Sequence, residues 1–205
     1  MIKVEDEMQE KTLSKECFLD VRDFIILSVR SGFFSEKQIE EEIPYYLRSI
    51  WPDEPMIEGA SFHRLVQELY HRYHYKGTVV YYNKLKTAFE RLNDIGVVAE
   101  HLAGENMNEG FYNTTEIAEE KYKSGKSIIG VCFYTKRSLH YLLKGITPML
   151  YLSYGNCFSE PTAMEIGWII VRELLEAGLE VEWNGQPEKK IGIKNIIWDK
   201  KYKEN

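Results

Sequence analysis

Between Ile128 and Gly155 the chain reads IIGVCFYTKRSLHYLLKGITPMLYLSYG, two apolar runs either side of a short amphipathic segment. Ile128 to Tyr134 is apolar, β-branched or aromatic almost throughout, the composition of a strand buried on both faces. Thr135 is placed to cap a helix, Leu139, Leu142 and Leu143 recur at helical spacing, and Gly145 is a stop. Met149 to Tyr154, bounded by Pro148 and Gly155, is a second strand. A helical crossover between neighbouring strands favours a parallel pair joined in the right-handed sense, so the stretch reads as βαβ.

The pattern repeats downstream. From Glu160 to Ala177 an apolar stripe of Ala163, Ile166, Gly167, Ile170, Leu174 and Leu175 predicts a helix ended by Gly178. Leu179 to Trp183 alternates apolar and acidic residues, Asn184-Gly185 signals a turn, and Lys190 to Ile193 returns as a partner. The sheet is expected to finish with this antiparallel pair.

The preceding chain reads as helical. Cys17, Val21, Phe24, Ile25 and Val29 recur at helical intervals up to Ser31-Gly32. Ser35 with Gln38 forms a capping-box pattern for a second helix, which Pro44 is expected to limit or kink. A third helix is predicted from Gly59 to about Tyr75, and a fourth from Tyr82 to Asp94, running through Gly96 into a strand. HLAGENMNEGFY, residues 101–112, reads as the longest polar irregular stretch, with Asn113 and Thr114 offering caps for a helix behind it. The expected organisation is a solvated, mobile leader over residues 1–12, a helical region over 13–95 and an αβ region over 96–205, together one structural unit.

Charge and cysteine count narrow the partners. The net charge is -6, and residues 1–60 carry 7 basic against 14 acidic side chains, which argues against general nucleic-acid binding. Three cysteines cannot form a disulfide framework and fit reduced, buried thiols in the cytoplasm. No apolar run has the roughly 18 to 20 residues of a membrane span.

The motifs are thin. Glu68, His71 and His74 share one helix face and offer metal-ligand types, yet a solvated face explains them, so no cofactor is assigned. Ser124 to Ser127 looks like the end of a phosphate loop, but Glu120 stands where its first glycine belongs and a strand follows. Cys157 and His140 are only a pair of suitable residue types. Helix 82–94 with its following strand could end a winged-helix unit, but no basic recognition helix follows.

ERLNDIGVVAEHLAG, NEGFYNTTE, GVCFY, LYLSYG, IGWIIVRELLEAGLEVEWNG and WDKKY, in this order and spacing over residues 85–202, resemble an uncharacterised bacterial domain family of unknown function. Thr135 stands where many members carry His, which removes one candidate catalytic or ligand side chain. The resemblance implies a bacterial cytoplasmic protein and supplies no activity.

The chain therefore reads as α+β: a helical N-terminal half packed with a C-terminal mixed sheet of about five strands built from βαβ units. The leading functional expectation is a non-catalytic binding protein with a protein partner, of accessory or immunity type. The alternative is a small-molecule site or enzyme at the C-terminal ends of the parallel strands. That cleft would set Tyr134, Thr135, Tyr154, Gly155 and Asn156 beside Gly104, Asn106, Asn108, Gly110 and Tyr112.

Overall fold

The computed structural model describes residues 13–203, so the leader read in residues 1–12 lies outside the described residues. Two compact units form: one runs to Thr78 and takes in the tail from Asp199, the other spans Val79–Trp198.

The first unit is built from α1 (Lys15–Ser31), α2 (Glu36–Ile50), a 3₁₀ turn (Gly59–Phe62) and α3 (His63–Tyr73). The Ser35–Gln38 box caps α2, as the spacing predicts, and Ser14 caps α1. Cys17, Val21, Ile25, Ile39, Ile43, Leu47, Phe62 and Val66 form its core. Pro44 does not end α2, which continues to Ile50. Its missing N–H leaves the Glu40 carbonyl without the usual helical donor, and the backbone of Gly59 packs on that oxygen: a side-chain carbon there would lie 1.8 Å from it. The tail is tied back by Lys201, whose Nζ donates to the Lys76 carbonyl at 3.2 Å.

The second unit runs α4 (Tyr81–Asp94), β1 (Val97–Glu100), α5 (Met107–Lys123), β2 (Gly130–Phe133), α6 (Lys136–Leu143), β3 (Met149–Asn156), α7 (Ala163–Glu176), β4 (Glu180–Glu182) and β5 (Ile191–Lys194). It holds one mixed five-stranded sheet in the order β1-β2-β3-β5-β4. The sequence boundary near residue 95 falls between α4 and β1, and α4 packs on β1 and α7.

The α+β class holds, and β1–α5–β2 is a parallel βαβ unit. The parallel pairing expected across Thr135–Gly145 is corrected: β3 runs antiparallel to β2, Gly130 facing Asn156 and Phe133 facing Ser153. α6 has eight residues, about 12 Å of helix, and the chain re-enters the sheet from the end it left. β3 and β4, both antiparallel to β5, form a second βαβ unit across α7, split by β5. Since β1 pairs in parallel with β2, no hairpin wing follows α4.

Alternation along β2 assigns its faces. A side chain at Gly130 would meet Ile166 of α7 at 2.9 Å, and the Phe133 ring meets Phe111 of α5 edge-on at 4.9 Å. Gly130 and Cys132 thus face α7, and Val131 and Phe133 face α5. Gly110 is set by this packing, because a Cβ there would sit 2.2 Å from the fully buried Phe133 ring. Gly110→Ala is expected to destabilise the unit by about 1–3 kcal/mol through overpacking, read from urea unfolding. An unchanged midpoint would show that α5 can lift off β2 freely.

A second correction concerns the polar stretch 101–112, whose latter half is helical. Asn106 Oδ1 accepts from the N–H groups of Asn108 (3.0 Å) and Glu109 (3.2 Å), so α5 starts at Met107 and not behind Asn113.

Candidate anion-binding site

The loop before α5 is fastened onto the turn between β2 and α6. Ala103 N–H donates to the Tyr134 carbonyl at 3.1 Å, Lys136 N–H to that of Gly104 at 2.9 Å, and Arg137 N–H to that of Glu105 at 3.4 Å. Thr135 Oγ1 caps Ser138 N–H at 3.1 Å. The first amides of α6 are thus already satisfied, and its terminus offers a ligand no open donor. What the turn does supply is side chains: Arg137, Ser138 and Tyr141 fall on one side of α6.

They line a cavity of about 240 Å³ with Thr135, Asn106 and Met107 from the loop and α5, and with Thr147, Tyr151 and Lys190 from the β3 and β5 side. No carboxylate or imidazole lines it. Among the described residues Arg137 and Lys190 are in no ion pair, and the hydroxyls of Tyr141 and Tyr151 make no hydrogen bond. The neighbouring Lys136, by contrast, is held by Glu105 at 2.7 Å. Two uncommitted cations and two uncommitted phenols thus converge in a chain of net charge -6.

The residues singled out from the sequence separate. Asn106 and Thr135 line this cavity, both also serving as caps. Gly104 contributes its carbonyl, Asn108 is exposed outside the cavity, Gly110 is a packing position, and the Tyr112 hydroxyl points to Glu116 at 2.7 Å. Tyr134 is fully buried, 2.9 Å from His101 Nδ1, among Phe89 and Trp198. Antiparallel β3 carries Gly155 and Asn156 to the other end of β2, where they line a second cavity of about 350 Å³. Tyr154 lies on the opposite face, edge-on to Trp183. The cleft imagined at the ends of parallel strands therefore has no single counterpart.

Two of the three metal candidates are otherwise engaged: Glu68 pairs with Arg72 at 3.6 Å, and His74 Nδ1 lies 2.7 Å from the Tyr70 carbonyl. No group of three or more ligand types gathers among the described residues. Cys157 lies beyond the start of β2 and His140 in α6 beyond its end, with no hydrogen bond between them. Burial raises the Cys157 thiol above its ordinary range, which disfavours the thiolate.

Arg137, Tyr141, Tyr151 and Lys190 were not singled out from the sequence. Arg137 and Tyr141 stand one helical turn apart, off the Leu139–Leu143 stripe, and that spacing was the available signal. Tyr151 and Lys190 meet them only through the antiparallel order, which periodicity does not encode.

The geometry defines an α+β protein with a mixed sheet and a cationic cavity beside it, and no helix among the described residues is long and apolar enough to cross a membrane. The chain belongs to the family described as Domain of unknown function (DUF6891), whose match covers residues 14–202. Comparison with curated proteins and with solved structures returned no match.

Proposed function

We propose that this chain is a non-catalytic binding protein whose sheet unit holds a small anionic ligand, one bearing a carboxylate or phosphate group. The carrying observation is the cavity in which Arg137 and Lys190, without ion pairs, meet the unbonded hydroxyls of Tyr141 and Tyr151 and no acid. Charge-assisted hydrogen bonds contribute about 1.5–3 kcal/mol each. A non-catalytic role fits, because the groups of the sheet unit that burial shifts furthest, Cys132, Tyr134 and His140, line neither this cavity nor the one at Gly155. Cytoplasmic residence is supported by three free thiols, two of them fully buried; bacterial origin rests on the motif resemblance.

Calorimetric titration of the full chain with butyrate and with inorganic phosphate tests the site. At least one is expected to bind, more weakly as salt rises, and Arg137→Glu or Lys190→Glu should weaken it at least tenfold. Absence of binding by both probes, or unchanged affinity in both variants, would overturn the reading.

A protein partner is the second reading, carried by α7. Met164, Trp168 and Leu175 are exposed along one side of that helix, a spacing at which helical side chains share a face. Sedimentation would support it through self-association that Trp168→Glu abolishes; a monomer with or without the substitution counts against a homotypic partner.

A further inference from the structure

We propose that the cavity at Gly155 binds an organic cation, an amine carried on a hydrocarbon body. This site is separate from the cationic cavity and does not rest on the anion reading.

The sequence lays out one wall. Phe111, Thr115, Ala118, Glu119 and Tyr122 recur at helical spacing on α5 and line the cavity together. From Phe111 to Tyr122 is three turns, about 16 Å along the helix axis. Ala118, Ile128 and Val131 keep the lining apolar, and a space of about 350 Å³ with few polar groups is the form that small-molecule sites take. Gly155 leaves its floor open beside Phe111. The backbone there is not left-handed, and a Cβ would stand 3.5 Å from Phe111 and 4.0 Å from Val131, ordinary contact distances. Neither conformation nor crowding demands glycine at this position, and its effect is to vacate space that a side chain would fill.

The Tyr122 end carries the head-group chemistry. Tyr122 and Phe158 are exposed, with ring centroids 5.5 Å apart and planes tilted by 53°. Asn156 Nδ2 donates to the Phe158 carbonyl at 2.5 Å, which holds the corner after β3 that brings Phe158 to α5. Glu119, three residues before Tyr122, is the only charged lining residue among the described residues. Ring faces and carboxylate both present negative potential, so they attract an ammonium, which binds an aromatic face within about 6 Å of its centroid. A carboxylate is repelled by the same groups. Glu119 is now paired with Lys123 at 3.2 Å, both side chains largely exposed, and such a surface pair is weak enough for an incoming cation to displace.

Cys157 lines the same cavity and is half-buried, whereas Cys17 and Cys132 are at 0% exposure, so alkylation of this thiol reads occupancy of the cavity. The experiment follows the reaction of Cys157 with iodoacetamide in the full chain, with octylamine, octanol, octanoate or butylamine added below micellar concentrations. Octylamine is expected to protect the thiol at a concentration at least tenfold lower than octanol or butylamine, with octanoate the weakest. Glu119→Gln should bring octylamine to the level of octanol, and Glu119→Lys should place octanoate ahead of octylamine; the exposure of Glu119 lets both variants fold. Protection by none of the four, or equal protection by octylamine, octanol and octanoate, would overturn the proposal. A preference for octylamine that survives Glu119→Lys would trace it to the net charge of the chain and overturn the site. Butylamine as effective as octylamine would remove the hydrocarbon body and overturn it as well.

Discussion

Alanine at Gly59 is expected to cost the helical unit about 3 kcal/mol, at the upper end of what a single added methyl group does in a packed interior. The cause begins with Pro44, which lies inside α2 and cannot donate to the carbonyl of Glu40. The backbone of Gly59 occupies the space in front of that oxygen, and the added carbon would fall 1.8 Å from it. No side-chain rotation relieves a clash between two backbones, so the 3₁₀ turn must move away from α2, and with it the buried Phe62. Hydrogen exchange at the amides of α1 to α3 would register the loss as protection reduced by about two orders of magnitude, RT ln 10 being about 1.4 kcal/mol. A change under about 0.5 kcal/mol, the size of ordinary surface substitutions, would show the contact to be incidental.

The second large effect is acid destabilisation through His140. Burial dominates and lowers its pKa from 6.5 to about 4, with smaller opposing contributions from Glu105, which raises it, and Lys136 and Lys144, which lower it. A folded pKa below the unfolded one means that the unfolded chain binds the extra proton between these values. The stabilisation is thus fully present above pH 6.5 and is lost as pH falls toward 4, to a limit of about 3 kcal/mol. His140→Gln should flatten the stability curve over that window and leave the neutral-pH limb unchanged in slope. A variant with the same acid slope as the parent in urea unfolding at pH 7, 5.5 and 4.5 would assign the slope to other groups.

Local structure was legible where a side chain meets its own backbone. The box at Ser35 and Gln38, the cap at Thr135 and the stop at Gly32 are short-range events, and each fell where its spacing predicts. The start of α5 was hidden by a run rich in Asn and Gly, although Asn106 with Glu109 three residues on is itself a capping pattern. Strand direction was not legible at all. The apolar run Met149 to Tyr154 would look the same in either sense, and its direction follows from where the short α6 returns the chain to the sheet. The candidate site shared that fate: Asn106 and Thr135 were found as loop and cap residues, while Arg137, Tyr141, Tyr151 and Lys190 converge only once β3 turns back.

The insertion of β5 between β3 and β4 governs how this chain must be completed at the ribosome. β3 emerges with one edge open, and the strand that closes that edge arrives some forty residues later, after α7 and β4 have been made. Until Ile191 to Lys194 are available, β3 and β4 carry unpaired backbone donors and acceptors toward the same gap, the kind of edge that recruits other chains. Any nascent chain stalled before that point is exposed to misassembly. Assembly of the sheet is therefore governed by one of its shortest segments, the four residues of β5.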